Sequence, residues 1–222
     1  MFNLDFQYIF QIIPSVLRAS KVTLSLAFFS LIIAFTLALI MAIIRYYDVK
    51  ILSNIVKVYV SFFRGTPIIT QLFLIYFGVF TLTEALKTVS AYNVVIVSLS
   101  LNSAAYMSET IRASFKSIDR GQIEASLSIG MSSIQTMRRI IFPQAMTVAL
   151  PSLFNSFIDL IKGTSIAFVI GVEEIMAIAG YEGSKAFKYF EIYTTIAIIY
   201  WGLSIVLEYC QRCLENKLSK NL

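Results

Sequence analysis

The sequence predicts an all-α, polytopic membrane protein with about five transmembrane helices and a pair of short cytoplasmic helices between the third and fourth. Three observations carry this. First, 58% of the 222 residues are apolar and 14% are charged, against about 45–50% and 25% in a soluble domain. Second, the charges leave gaps long enough for helices to cross about 30 Å of hydrocarbon, which takes about 20 residues. Third, Lys and Arg are distributed unevenly between alternate loops. This composition excludes a disordered chain and argues against an ordinary soluble enzyme. The net charge of +5 is assigned to loops facing anionic lipid, not to nucleic acid.

The elements follow in order. Residues 1–19 have spaced apolar positions with a few charges, predicting an amphipathic segment on the membrane surface. No short apolar run with a small-residue cleavage site occurs there, so no cleaved signal peptide is expected. Uncharged runs at 22–44, 65–83, 88–108, 140–158 with 163–172, and 192–207 give spans at about 20–44, 58–81, 91–113, 145–172 and 189–211. The fourth is irregular, with Pro143, Pro151, the charged pair Asp159 and Lys162, and then Gly163-Thr164. Arg64-Gly65-Thr66-Pro67 is expected at the cytoplasmic end of the second span. There the proline suits a first helical turn, and the arginine is assigned to lipid phosphate or a partner, not to substrate.

Twelve basic residues fall on one side of this arrangement (among them Arg45, Arg64, Arg112, Arg120, Arg138, Arg139 and Lys220) and five on the other (Arg18, Lys21, Lys87, Lys185 and Lys188). The basic side is cytoplasmic. The N-terminus is therefore expected outside and the C-terminus inside. Several tyrosines and Trp201 fall at proposed span ends, as interfacial belts do.

Residues 114–142 form a long connector with ordering signals. Asp119 precedes a helical stretch with Ile123, Leu127 and Ile129 expected on one side, Gly130 stops it, and Ser132 or Ser133 starts a second helix. Two short helices meeting at a glycine make a compact knob suited to a groove on a soluble partner. A surface helix lying under the bilayer is the plainer alternative.

Within this knob, Glu124-Ala125-Ser126, three residues, Gly130, nine residues, Ile140, one residue and Phe142-Pro143 resemble the E-A-A-x3-G-x9-I-x-L-P signature of binding-protein-dependent ABC importer permeases. Ser126 and Phe142 are mild departures. Further stretches resemble the polar amino-acid branch of that family: FFRGTPIITQLFLIYFG (62–78), SAAYMSETIRASFKSIDRGQIEAS (103–126) and FPQAMTVALPSLFNSFIDLIKGTS (142–165). Gly163 departs where many relatives carry an acidic residue.

The resemblance implies one permease domain over 1–222 in the bacterial cell membrane, moving a polar amino acid inward. It also implies a second permease subunit, identical or closely related, two ATP-binding-cassette ATPase subunits and an extracytoplasmic amino-acid-binding protein. By carry-over, Glu124, Ala125, Ser126 and Gly130 contact the ATPase, and the knob is its coupling-helix pair. The stretch KYFEIYTTIAIIYW (188–201) looks most like permeases for cystine and related amino acids. A secondary transporter or a channel is the alternative, and neither needs such a knob.

The chain has no G-x-x-x-x-G-K-[ST] phosphate loop, so ATP and Mg²⁺ are expected on a partner, with no cofactor and no catalysis here. An intramembrane enzyme is disfavoured, since the chain lacks histidine. Cys210 and Cys213 are read as ordinary thiols.

An amino acid at membrane depth needs partners for its ammonium and its carboxylate, and ionisable residues there are costly. Asp159 is the candidate for the ammonium, unless it only pairs with Lys162 one turn away. Asn155 lies one turn earlier. Thr164 and Ser165 offer hydroxyls beside a helix break, where transporters often expose polar groups. Asn102, Tyr106 and Glu109 share a face of the third span, with interhelical hydrogen bonding and an Arg112 pair as their alternatives. Gln71 is a lone polar residue, as suited to holding helices together as to binding substrate.

Overall fold

A computed structural model describes residues 4–218. The readings at Phe2, Asn3 and Lys220 lie outside this range. Every regular element among the described residues is helical.

Helix α1 (Phe6–Tyr46) runs 41 residues without a break, about 60 Å at 1.5 Å per residue. Asp5 caps it, accepting from the Tyr8 amide at 3.0 Å. The expected surface segment at 1–19 is instead the first third of this helix. Ile12 and Val16 are buried against Ile175, Ala179, Ile192 and Ile196, so burial in protein holds the segment up where lipid contact would lay it flat. Lys188 pairs with Asp5 and sits 4.9 Å from the centre of the Tyr8 ring. Its ammonium holds the Asp5 carboxyl below its ordinary value.

Helix α2 (Lys50–Gly65) is followed, after a 113° bend, by α3 (Ile68–Phe73), which continues to Thr81 through a π turn and a 3-10 turn. The second span is therefore broken, not straight. Thr66, ahead of proline, is extended at φ −121°, ψ 149°, as steric contact with a proline ring favours. Pro67 also has no amide to continue the helix.

A single turn, α4 (Glu84–Lys87), leads to α5 (Ala91–Lys116). Helices α1 and α5 form the most extensive pair in the fold. Their seam is lined by small residues: Ala27, Ser30, Ala34, Ala38 and Ala42 on α1 meet Ser100, Ala104 and Ala105 on α5, all essentially inaccessible. Small side chains let helix backbones approach closely. The serines use that approach, Ser30 donating to the Ile96 carbonyl and Ser100 to the Ser30 carbonyl, each at 3.3 Å.

Helix α6 (Arg120–Ser128) is capped by Asp119, which accepts from the Gly121 and Gln122 amides. Gly130, at φ 85°, ends it. Helix α7 (Ser133–Thr136) opens with a reciprocal capping box between Ser132 and Gln135. It runs through a π turn into α8 (Phe142–Gly163). The second helix of the knob is thus continuous with the fourth span. A 3-10 segment (Thr164–Ile170) and Gly171 at φ 83° follow.

The loop expected at 173–188 instead holds α9 (Ile175–Ala186), a helix packed against α1 and α10 (Tyr189–Leu218). Among the described residues four helices are long and apolar enough to cross a membrane, and the bent pair 50–81 makes five if it is one span.

Candidate functional site

A cavity of about 460 Å³ opens between the broken second span, α5 and α8. Its polar wall comes from Arg64 at the break, Asn102, Ser103, Tyr106, Glu109 and Thr110 on α5, and Ser156 and Asp159 on α8. Ile68, Leu99, Leu160 and Gly163 complete it. Three residues singled out in the sequence as binding candidates, Asn102, Tyr106 and Asp159, therefore share one cavity with Glu109.

The 113° break puts Arg64 on this wall. Its guanidinium lies 5.4 Å from the centre of the Tyr106 ring, within cation–π range. Among the described residues no carboxylate lies within ion-pair distance of it. Glu109, by contrast, is fully engaged. It pairs with Arg45 of α1 and takes two hydrogen bonds from Arg112, at 2.7 and 3.2 Å. Asp159 and Lys162 pair at 2.8 Å, yet their side chains stay 73% and 53% exposed.

Gln71 is a bracket behind the cavity. It is 1% exposed. Its amide donates to the Phe63 carbonyl at 2.9 Å, the Thr66 carbonyl at 3.0 Å and the Thr66 hydroxyl at 2.8 Å, while its oxygen accepts from Asn102 at 2.9 Å. These bonds satisfy carbonyls freed by the helix break, which hydrocarbon would leave unpaired. Asn102 also donates to the Phe63 carbonyl, so its amide nitrogen holds the break while the residue lines the cavity.

Other sequence candidates lie elsewhere. Asn155 is exposed and is not among the cavity-lining residues. Thr164 is fully buried, and its hydroxyl donates back to the Ile161 carbonyl in the last turn of α8 at 2.7 Å. Ser165 lines a neighbouring hollow of about 340 Å³ with Lys162, Met176 and Tyr200. Arg64 is a residue of the cavity wall that linear reasoning did not place there. The Gly-Thr-Pro after it was the signal, because a proline two residues beyond a glycine breaks a helix as readily as it starts one.

Beside the hollow, Glu174 was also missed. It is wholly buried at the start of α9. It accepts from the Met176 and Ala177 amides at 2.7 and 3.0 Å, from Thr23 at 3.4 Å and from Tyr200 at 3.3 Å. One carboxylate thus ties α1, α9 and α10 together. A carboxylate directly before Ile175, Ile178 and Ala179, at helical spacing, was the available signal.

At the knob, Glu124 and Ala125 are exposed, but Ser126 is 2% exposed and bonds to the Thr136 hydroxyl at 2.9 Å. Ser126 joins the two short helices instead of facing outward. Ile123 packs on the core and lines a hollow together with Leu127, one turn on, whereas Ile129 turns away. One side therefore does not hold all three. Ile129 and Ile134 are 79% and 76% exposed on either side of Gly130, giving the knob an apolar tip.

The family model described as "Binding-protein-dependent transport system inner membrane component" matches residues 34–220. The chain is 45% identical over 216 residues to the probable amino-acid ABC transporter permease protein PatM of Vibrio harveyi, covering 97% of both chains. It is 35% identical to the L-cystine transport system permease protein TcyL of Bacillus subtilis, covering 98% of this chain and 92% of the relative. A crystal structure of an amino acid ABC transporter with histidines superposes with a TM-score of 0.89 at 31% identity, covering 97% of this chain and all of that one. The broken second span, the polar cavity against α5 and α8 and the capped knob are thus features of a multi-pass amino-acid ABC transporter permease, and the chain belongs to the binding-protein-dependent transport system inner membrane component family.

Proposed function

We propose that this chain forms the membrane path of an ATP-driven importer of a polar amino acid, with ATP hydrolysed by a separate ATPase pair. A second permease subunit and an extracytoplasmic binding protein complete the assembly. The observation that carries the reading is the exposed Asp159–Lys162 pair in the fourth span. A charge pair with side chains 73% and 53% exposed is costly in hydrocarbon, so it faces a watery path or another subunit. The polar cavity beside it supports the path. Asp159, the carboxylate on the wall with a single partner, takes the substrate ammonium, and Arg64, which has no ion-pair partner among the described residues, takes its carboxylate. Asn102 and Tyr106 shape the space between them.

The apolar tip at Ile129 and Ile134 and the exposed Glu124 and Ala125 support the knob as the ATPase contact. Ser126 and Gly130 set its shape. The cystine name of one relative supports a cystine-type amino acid as cargo. The test is purification in mild detergent followed by reconstitution. An ATP-binding subunit should copurify, and uptake of labelled amino acid should require ATP. Uptake without a copurifying ATPase would return the chain to the channel or secondary-transporter class.

The basic-residue asymmetry supports an outside N-terminus and a cytoplasmic C-terminus. A membrane-impermeant thiol reagent applied from outside should label a cysteine at Thr83 and spare one at Ser117. The reverse pattern would invert the topology.

A further inference from the structure

The charges around the cavity do not balance. Asp159 is answered by Lys162. Glu109 is answered twice, by Arg45 and Arg112. Arg64 adds a cation that has no ion-pair partner among the described residues. Four cations therefore surround two carboxylates, so the region carries a net positive charge.

Given the reading of this cavity as the substrate site, on which the inference rests, we propose that it selects amino acids with an acidic or neutral side chain and rejects those with a basic one. The α-ammonium uses Asp159, the only carboxylate on the wall held by a single partner. A second cationic group that brings no carboxylate of its own, as in a basic side chain and unlike the zwitterionic second half of cystine, then meets no free carboxylate, because Glu109 already accepts from two arginines. A second carboxylate meets Lys162, whose ammonium is released from Asp159 when the substrate takes that acceptor. Lys162 itself lines the adjoining hollow of about 340 Å³, which gives an acidic side chain room beside it.

Gly163 sets the balance. It lines the cavity in helical conformation, and a Cβ built there lies 3.6 Å from Leu99 Cδ2, an ordinary contact. The wall has space for a carboxylate at this position and carries none. Selectivity of this kind comes from what the site repels as much as from what it attracts.

The test measures binding of radiolabelled glutamate, cystine and lysine to the permease–ATPase complex in lipid nanodiscs, without the extracytoplasmic binding protein, so that only the membrane site discriminates. Glutamate and cystine should bind at least about tenfold more tightly than lysine, a factor equal to about 1.4 kcal/mol. In Gly163→Asp the gap should close by about tenfold or more, through tighter lysine and weaker glutamate binding. Gly163→Asn, matched in shape without the charge, should leave the ranking as it is.

Lysine binding the unmodified complex as tightly as glutamate overturns the charge selection, whatever the variants do. An equal shift in the Asp and Asn variants overturns it too, because shape would then be the cause. Asp159→Asn separates the two readings. If it abolishes binding while lysine matches glutamate, the cavity stands as the substrate site and only the selection falls. If it leaves all three ligands bound unchanged, or if none binds the unmodified complex, the cavity reading falls and takes the selection with it.

Discussion

Gly130→Asp is expected to abolish ATP-driven uptake in the reconstituted complex, while Gly130→Asn keeps most of it, at equal protein levels in the membrane. Gly130 sits at φ 85° with no atom within 4 Å of a built Cβ, so space is not the constraint. Its backbone is. The Gly130 amide donates to the Leu127 carbonyl at 3.0 Å and the Met131 amide to Ser126 at 3.1 Å, which closes the end of α6 in the left-handed conformation. Asn and Asp tolerate that conformation better than other non-glycine residues. The two variants therefore share a backbone cost and differ mainly in charge. The aspartate would sit between Ile129 and Ile134 and carry its charge into an apolar socket, where an unpaired ion costs several kcal/mol. Normal uptake by the aspartate variant would remove the knob from the ATPase interface. Equal loss in both variants would make the turn, not the contact, the sensitive feature.

Asp159→Asn should cut the initial uptake rate about tenfold or more, since a hydrogen bond to a charged group contributes about 1.5–3 kcal/mol. The double change Asp159→Asn with Lys162→Met should not restore it. The comparison matters because the 2.8 Å pair has two readings. If Asp159 serves only Lys162, removing both charges leaves no lone ion and transport survives. If Asp159 serves the substrate, removing Lys162 cannot replace the lost acceptor. Rescue by the double change would make the pair structural and leave the ammonium without its proposed partner. Because the pair is exposed, its own contribution to stability is small. Loss of transport should therefore come without loss of folded protein.

These two predictions differ in how far they could be read from the chain. Asp119, Gly130 and Ser132 announce the knob because caps and a helix stop act within a few residues. The same locality made Asp159 visible, since 19 uncharged residues precede it. Arg64 was visible too, but its place on the cavity wall was not. Its place depends on a 113° bend whose freed carbonyls are taken by Gln71 and Asn102, and those bonds reach from 5 to 39 residues along the chain. The first third of α1 and the whole of α9 were misread for a related reason. Their apolar residues are short of a span, and what buries them is one another: Ile12 and Val16 against Ile175 and Ala179, more than 150 residues apart.

Hydropathy, caps and motif spacing are properties of neighbouring residues, so the membrane class, the approximate spans, the knob and the family resemblance are legible in the chain. Which polar groups serve the fold and which face the cavity is settled by how the helices pack. Gln71, Ser126, Thr164 and Glu174 are spent on hydrogen bonds within the protein, whereas Arg64 and Asp159 stay open on the cavity wall. In a low-dielectric interior a polar side chain is held by whatever donor or acceptor the packing brings within reach. That partner is set by helix contacts between distant segments, which no local pattern in the chain encodes.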